Sequence, residues 1–177
     1  MKKSQLDHLI RAAADITKQK RFIVIGSQAL HAKFPDLPGV FMISNEADII
    51  VESEPRITEW LNAIGADSRF HETYGYYADP VDDKTATLPS GWKKRLVKLP
   101  EGDTGGAVAF CLDPHDLAVS KYVARREKDV EFNREMVTRG ILEKEQLLTL
   151  LELTNVPESM KERIRNNIEA DFVAASK

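Results

Sequence analysis

A short apolar run that stops at a Gly-Ser pair is the feature that most constrains how this chain can fold. Residues 22–25 are rich in β-branched and aromatic side chains, which predicts a buried strand. Gly26 and Ser27 follow directly, and residues 28–33 have the composition of a short helix. A strand, a tight turn and a helix in this order indicate a sheet against which helices pack.

Two carboxylates alternate on the next predicted strand. Glu46 and Asp48 lie two positions apart, about twenty residues after Gly26. Alternate residues of a strand point to the same face, and Glu52 shares that face if the strand stays regular. Two acids on one face repel each other unless a cation lies between them, and Mg²⁺ binds one or two carboxylates together with phosphate oxygens. The spacing therefore indicates a metal site, although acids on a strand also occur on the solvated face of an antiparallel sheet.

The Gly-Ser turn is a candidate phosphate site. Backbone N–H groups at the start of a helix are unpaired and can hold a phosphate, and glycine permits its close approach. A Gly-Ser turn is also common as a plain helix cap. The combination of Gly26 and Ser27 with the acid pair, in this order along the chain, favours the phosphate site over the cap.

The remaining sequence predicts an α+β fold, with short strands in the first part and helices after Asp113. Helices are expected over 6–16, with Ser4 as N-cap, over 57–64, from Asp113 to Gly140, over 143–153, and from 156 to about 174. Strands are expected at 40–43, 47–51, 85–88, 95–99 and 106–112. We expect residues 1–112 to form the core and residues 113–177 a C-terminal helical bundle packed on it as a single globular unit.

The composition excludes several classes of protein. Of the 177 residues, 42% are hydrophobic, enough to fill a core. The 25 Lys and Arg residues nearly balance the 28 Asp and Glu residues, so we expect no duplex DNA partner. The single cysteine, Cys111, excludes an internal disulfide and a multi-cysteine zinc site, and its apolar neighbours predict a buried thiol. No apolar run reaches the roughly 18 residues of a membrane span, so we expect a cytoplasmic protein without a membrane partner.

These motifs resemble the nucleotidyltransferase superfamily built on a DNA polymerase β-like core, in particular its bacterial AbiEii-like and related uncharacterised members. Ile23–Leu30 is similar to the Gly-Ser motif of that superfamily, and Ser44–Ile49 to its Thr-x-Asp-apolar-Asp-apolar motif. The segment 113–129 resembles the helical region that follows the sheet, so the likeness covers roughly residues 20–140. It implies a mixed nucleotidyltransferase-like sheet flanked by helices. It also implies that Glu46 and Asp48 are catalytic residues and ligands of Mg²⁺ or Mn²⁺.

Three cations of the helical segment are predicted to share one helix face. Lys121, Arg125 and Lys128 are spaced i, i+4 and i+7. Taken alone, such a run is usually a solvated face, in which Asp129 would pair with Arg125 at i+4. The resemblance favours a phosphate role instead, because a triphosphate near the acid pair needs cations to neutralise it. We therefore expect these three side chains, with Gly26 and Ser27, to bind the nucleotide.

The sequence departs from the superfamily pattern in two ways. Glu46 replaces the first aspartate, and the third carboxylate that active members often carry has no clear counterpart, which leaves the general base unassigned. The candidates for the third acid are Glu52, Glu72, Asp79 and Asp113. His71 and Glu72, beside an aromatic cluster at 74–77, are further candidate site residues, as is Asp129, although aromatic side chains at alternating positions more often pack a sheet.

The resemblance implies transfer of a nucleoside monophosphate from a nucleoside triphosphate to an acceptor, which the sequence leaves open among RNA, a protein and a small molecule. AbiEii-like members are toxins of toxin-antitoxin and phage-defence systems, so a cognate antitoxin is an expected partner. The competing hypothesis is a catalytically degenerate nucleotidyltransferase fold that only binds nucleotide or docks a partner protein. Glu46 and the missing third acid motivate that alternative.

Overall fold

A five-stranded mixed sheet organises the first part of the chain. The structure is a computed structural model that describes residues 1–34 and 36–176. The strands are β1 (Arg21–Val24), β2 (Glu46–Val51), β3 (Tyr77–Pro80), β4 (Val97–Lys98) and β5 (Val108–Cys111). Their spatial order is β3-β2-β1-β5-β4. The pairs β1–β5 and β2–β3 are parallel, whereas β1–β2 and β4–β5 are antiparallel.

Helices flank the sheet and form most of the chain after it. The α-helices are α1 (Lys3–Thr17), α2 (Arg69–Tyr74), α3 (Pro114–Ala124), α4 (Glu127–Thr138), α5 (Lys144–Glu152) and α6 (Glu158–Ala175). Among the described residues, 3₁₀ helices span Ser27–Ala32, Gly39–Phe41, Pro55–Ile64 and Trp92–Arg95. The predicted α+β class, with a mixed sheet, flanking helices and several C-terminal helices, is confirmed.

The chain divides into two compact units. The first contains residues 1–85 and 96–112, and the second contains residues 86–95 and 113–177. Among residues 1–34 and 36–176, no helix is both long and apolar enough to cross a membrane.

One face of the sheet in the first unit is buried along β1 and at the centres of β2 and β3. The residues of this face alternate along each strand with residues of the other face. Four of them are fully buried: Phe22, Val24, Ile49 and Ala78. The helix Pro55–Ile64 packs against β2 and β3 and against α1, whose apolar side chains repeat with helical spacing. Because this face is closed, the opposite face must carry any polar site of the sheet.

The second unit is a helical bundle that begins with a well-formed cap. The Asp113 side chain accepts a hydrogen bond from the His115 N–H at 2.9 Å, and Pro114 occupies the first turn of α3, as the sequence predicts. His115 Nε2 in turn accepts from the Glu143 N–H at 2.9 Å, so its Nδ1 donates to Asp113. These bonds join the start of α3 to the start of α5.

Three local predictions, of two strands and one helix cap, are wrong. The expected strand at 40–43 overlaps the 3₁₀ helix Gly39–Phe41. Residues 85–88 lie in a turn and an irregular segment, where the Asp82 carboxylate accepts hydrogen bonds from the Lys84 N–H and the Thr85 hydroxyl. The N-cap of α1 is Lys2 instead of Ser4, because the Gln5 side chain accepts from the Lys2 N–H at 2.7 Å. In the first two cases β-propensity yields to local turn geometry.

Candidate active site

Gly26 lies where β1 gives way to a helix. It is the N-cap of the 3₁₀ helix Ser27–Ala32, so the predicted order of strand, turn and helix is confirmed. The Ile25 N–H donates to the Asp48 carbonyl at 3.1 Å, which continues the pairing of β1 with β2 beyond the end of β1. This pairing brings Gly26 next to Asp48.

The Asp48 carboxylate rests against the backbone of Gly26. A Cβ atom at position 26 would lie 2.8 Å from the carboxyl carbon of Asp48 and closer still to Oδ2. Such separations do not occur between non-bonded atoms, so a side chain at position 26 would displace the carboxylate. Glycine therefore leaves the space that this carboxylate occupies; its φ of −87° is accessible to any residue, so space and not backbone conformation is the reason for glycine here.

Three carboxylates and a phenol share the open face of β2 and β3. Glu46 and Asp48 alternate with fully buried Ala47, so the prediction that they point to one side is confirmed. On β3, Tyr77 stands opposite Glu46 and Asp79 stands opposite Asp48. All four side chains are partly buried. The parallel pairing of β2 with β3 thus places Asp79 beside the acid pair.

Tyr77 holds the first of these acids. Its hydroxyl donates a hydrogen bond to Glu46 Oε2 at 3.0 Å. Burial, this hydrogen bond and the surrounding carboxylates raise the pKa of Tyr77 to about 12, so the phenol remains a donor at neutral pH. The His71 ring lies 4.5 Å from the Tyr77 ring, and its Nδ1 accepts from the Asp67 N–H at 3.2 Å. His71 therefore contacts the site through Tyr77.

Negative charge accumulates on this face. Burial and the neighbouring Glu46 carboxylate raise the pKa of Asp79 above its ordinary value. In the part of the chain that the structure describes, neither Glu46 nor Asp79 forms an ion pair with a lysine or arginine. Several carboxylates therefore share this face, and no cationic side chain of the described residues pairs with Glu46 or Asp79. Such a face attracts an external cation.

The donor set fits a hard divalent cation shared with a substrate. Over residues 1–34 and 36–176, no group of three His, Cys, Asp or Glu side chains is arranged to hold a metal ion by itself. Mg²⁺ and Mn²⁺ favour carboxylate oxygens, and Mg²⁺ in phosphate-transfer sites takes one or two carboxylates plus phosphate oxygens. Glu46 and Asp48 match that smaller requirement.

A buried amide joins the turn to the start of the acidic strand. Gln28 is fully buried, and its Nε2 donates to Ser27 Oγ and to the Ser44 carbonyl, each at 3.3 Å. The Ser44 hydroxyl accepts from the Glu46 N–H at 3.2 Å. Sequence reasoning missed Gln28, and it placed Tyr77 in an aromatic cluster without linking it to Glu46. The alternation of Tyr77 with Asp79, matching that of Glu46 with Asp48, was the available signal.

The expected cationic helix face does not exist. Helix α3 ends at Ala124, and Arg125 adopts a left-handed conformation with φ of 50° before α4 begins. Lys121 and Lys128 therefore belong to different helices, and the premise that they share one face with Arg125 is wrong. A left-handed residue interrupts helical spacing, which the charge pattern alone does not reveal.

Lys121 has a structural partner. Its Nζ lies 2.9 Å from Oδ1 of Asp129, which is fully buried, and 4.4 Å from the centre of the Phe132 ring. Burial alone would raise the pKa of Asp129, but hydrogen bonds from Arg126 and Lys121 hold it below the ordinary value. Asp129 also accepts from the Arg126 N–H and so caps α4, and its ion pairs are with Lys121 and Arg126 instead of the Arg125 of the alternative interpretation.

The other candidate carboxylates have different surroundings. Glu52 follows the end of β2 and forms an ion pair with Arg21. Glu72 is exposed on α2, and Asp113 caps α3. Of the four candidates for a third acid, Asp79 is the one that the sheet register brings next to Asp48.

Comparison with known proteins identifies a family for this chain. The family described as "Nucleotidyltransferase of unknown function (DUF6036)" matches residues 3–177. No curated protein and no solved structure matches the chain. The family match includes the Gly-Ser turn, the acidic strands and the whole helical region. On this evidence the chain belongs to DUF6036, a nucleotidyltransferase family of unknown function.

Proposed function

We propose that this protein is a divalent-metal-dependent nucleotidyltransferase that moves a nucleoside monophosphate from a nucleoside triphosphate to an acceptor. The observation that carries the proposal is the set of three carboxylates on one sheet face beside Gly26. An oxygen of the acceptor attacks the α-phosphorus, the bond from that phosphorus to pyrophosphate breaks, and the acceptor proton passes to a base. Such reactions depend chiefly on positioning and on neutralising charge.

Each residue of the site has a role in this proposal. Glu46 and Asp48 hold Mg²⁺ or Mn²⁺, which when bound neutralises charge on the triphosphate. Backbone N–H groups that follow Gly26, with the Ser27 hydroxyl, hold phosphate oxygens. Asp79, with its raised pKa, accepts the acceptor proton, and so fills the role that sequence reasoning left unassigned.

Tyr77 compensates for the longer side chain at position 46, where this sequence has glutamate and the superfamily pattern has aspartate. A glutamate side chain has one more rotatable bond than aspartate and is positioned less firmly on a strand. The hydrogen bond of 3.0 Å from the Tyr77 hydroxyl restrains it. We infer that Tyr77 positions the Glu46 carboxylate for the metal.

The three predicted cations, Lys121, Arg125 and Lys128, have different roles in this proposal. Lys121 is engaged by buried Asp129, so we assign it to stability. Arg125 and Lys128 are exposed and form no ion pair within the described residues, and they remain predicted phosphate contacts. Their single alanine variants test that role by the affinity for triphosphate relative to nucleoside.

Label transfer tests the activity. The purified chain is incubated with each α-³²P-labelled nucleoside triphosphate, Mg²⁺ or Mn²⁺, and a cell lysate as the source of acceptors. Wild type should incorporate label, and Asp48→Asn should reduce incorporation at least about a hundredfold. Glu59→Gln, an exposed acid on the helix Pro55–Ile64, is the matched control and should leave incorporation unchanged. Incorporation that Asp48→Asn does not affect would overturn the proposal.

A second candidate function is nucleotide binding without turnover. The observation that favours it is the engagement of Glu46 by Tyr77, which leaves that carboxylate fewer free lone pairs. Calorimetry with and without Mg²⁺ separates the alternatives. Metal-dependent binding without label transfer to any acceptor class supports the degenerate site, whereas absence of nucleotide heat supports a partner-docking protein.

The biological role proposed from the resemblance is that of a toxin in a toxin-antitoxin or phage-defence system, with RNA, a protein or a small molecule as acceptor. Controlled expression of wild type and Asp48→Asn in a bacterial host tests it. Growth inhibition by wild type alone supports an enzymatic toxin, and equal growth of both strains contradicts it.

A further inference from the structure

A basic depression lies on the same sheet face as the carboxylates but towards the opposite ends of the strands. It has a volume of about 590 Å³ and is lined by Gln19, Lys20, Arg21, Ser53, Lys98 and Phe110, among others. All of these residues belong to the first unit. The basic stretch around residue 20 has no role in the proposed reaction.

The sheet register brings these side chains together. Arg21 of β1 stands opposite Val108 of the parallel strand β5, and Lys98 of the antiparallel strand β4 stands opposite Phe110 of β5. Arg21, Val108, Phe110 and Lys98 therefore project from one face of three adjacent strands. Three strands that are distant in sequence thus contribute to one basic surface.

This face is continuous with that of the acids. Arg21 and Ile23 alternate on β1, Ile23 stands opposite Ile50, and Ile50 lies two residues from Asp48 on β2. Ile23 and Ile50 are both buried, with 1% and 7% relative exposure, and they separate the two polar regions. The basic depression is therefore a different site from the one that Asp48 occupies.

The depression carries uncompensated positive charge. Arg21 forms an ion pair with Glu52, and its guanidinium lies 4.2 Å from the centre of the Phe110 ring. Lys20 and Lys98 are exposed, and neither has a carboxylate partner within residues 1–34 and 36–176. Two lysines without partners around one concave surface attract an anion.

The polar groups at the rim are suited to an oxyanion. The Ser53 hydroxyl donates to Gln19 Oε1 at 2.7 Å, which orients the Gln19 amide and leaves its NH₂ group as a donor. The Arg21 guanidinium over the Phe110 ring, here called the Arg21–Phe110 stack, offers the two kinds of group on which nucleobases stack. The volume lies within the range of small-molecule sites, about 300–1,000 Å³.

We propose that this depression binds the phosphate group of a nucleotide, with Lys20 and Lys98 pairing with the phosphate and the Arg21–Phe110 stack supporting the base. The phosphate comes either from a free mononucleotide or from the end of a single-stranded polynucleotide. The proposed site does not depend on the transferase activity, since Glu46, Asp48 and Asp79 are not among its residues.

Nuclear magnetic resonance titration of the full-length chain tests the site. Inorganic phosphate, AMP and a 5′-phosphorylated pentauridylate are added separately at low salt, with EDTA present to remove divalent metals. The amide resonances of residues 19–21, 53, 98 and 108–110 should shift when the ligand binds. The double variant Lys20→Ala/Lys98→Ala should weaken AMP binding about tenfold, as expected for the loss of charge-assisted bonds.

Two controls separate this site from general charge effects and from the proposed active site. Lys84→Ala/Lys94→Ala removes two exposed lysines elsewhere and should retain wild-type affinity at matched ionic strength. Asp48→Asn should also retain it, so failure of the transferase proposal leaves this result unaffected. Shifts confined to other residues, or equal weakening by the two double variants, would overturn the inference.

The three probes identify the source of the phosphate. Tighter binding of pentauridylate than of AMP assigns the end of a polynucleotide, and tighter binding of AMP assigns a mononucleotide. If inorganic phosphate binds as tightly as AMP, the base makes no contact and the proposed role of the Arg21–Phe110 stack is wrong. Absence of binding by all three probes overturns the whole proposal.

Discussion

The carboxylate of Asp48 occupies the space that residue 26 leaves by having no Cβ. The two residues are distant in the chain, but the pairing of β1 with β2 brings the Asp48 side chain against the Gly26 backbone. The turn that is proposed to hold phosphate and the acid that is proposed to hold metal are thus in direct contact. Changes at either position should therefore affect the other.

Gly26→Ala should impair metal binding by moving the Asp48 carboxylate. A methyl group at position 26 forces that side chain to rotate, and we expect Mn²⁺ affinity to fall at least about tenfold, the equivalent of one lost charge-assisted contact. Gly39→Ala is the matched control, because a Cβ at position 39 has no neighbour within 4 Å. Electron paramagnetic resonance of free Mn²⁺ measures both. Equal affinities for the two variants would contradict the proposed contact.

Asp79→Asn should reduce activity more than it reduces metal affinity. If Asp79 accepts the acceptor proton, its loss should lower kcat about 10²- to 10⁴-fold while the triphosphate still binds. Single-turnover label transfer measures kcat, and calorimetry measures binding. Glu59→Gln again serves as the exposed control. A loss of binding that matches the loss of rate would assign Asp79 to the metal instead of to proton transfer.

Tyr77→Phe should remove one phenol whose pKa is raised. The pKa of Tyr77 is raised to about 12 by burial and by its hydrogen bond to Glu46, so Tyr77 contributes stability fully below its unfolded pKa of about 10 and loses that contribution as pH rises towards 12. Ultraviolet titration of the phenols should therefore lose a step near pH 12 in the variant. Tyr74→Phe, at an exposed position, should leave that step in place. An unchanged step in Tyr77→Phe would show that Glu46 does not hold this hydroxyl.

Lys121→Ala should destabilise the second unit. It leaves buried Asp129 with Arg126 as its remaining cationic partner, and we expect a loss of about 2 kcal/mol in the free energy of unfolding. Lys128→Ala, at an exposed position on α4, should change stability by less than about 0.5 kcal/mol. Urea denaturation followed by circular dichroism measures both. Equal stability of the two variants would contradict a structural role for Lys121.

The same pair predicts sensitivity to acid. Because the folded pKa of Asp129 lies below its ordinary value, its contribution is present above about pH 4 and is lost as pH falls through the folded pKa. Asp129→Asn should therefore flatten the dependence of stability on pH below about pH 4. Denaturation series at several pH values give the slope, and a slope equal to that of wild type would exclude Asp129 as its source.

Cys111 should be unreactive in the folded protein. Burial raises the pKa of its thiol to about 12, so the reactive thiolate is absent at pH 8. Labelling with a thiol reagent should be slow under native conditions and rapid in denaturant. Rapid native labelling would mean that β5 opens readily.

The sequence was sufficient to predict the fold class and the local form of the candidate site. Residues 22–25 and the pair Glu46 and Asp48 obey the short periodicity of a strand, and Asp113 with Pro114 forms a local cap. These features depend on neighbours within a few positions, so backbone propensity and alternation determine them. Burial of Cys111 followed in the same way from its apolar surroundings.

Tertiary structure decided which distant residues meet. Asp79 was one of four candidate acids until the parallel pairing of β2 with β3 placed it opposite Asp48, and Tyr77 reached Glu46 through the same register. Strand register depends on contacts between segments far apart in the chain, which local periodicity does not specify. A left-handed residue at Arg125 likewise divided a regular charge pattern between two helices and left Lys121 with Asp129. Spacing therefore determined the elements, whereas packing determined the partners.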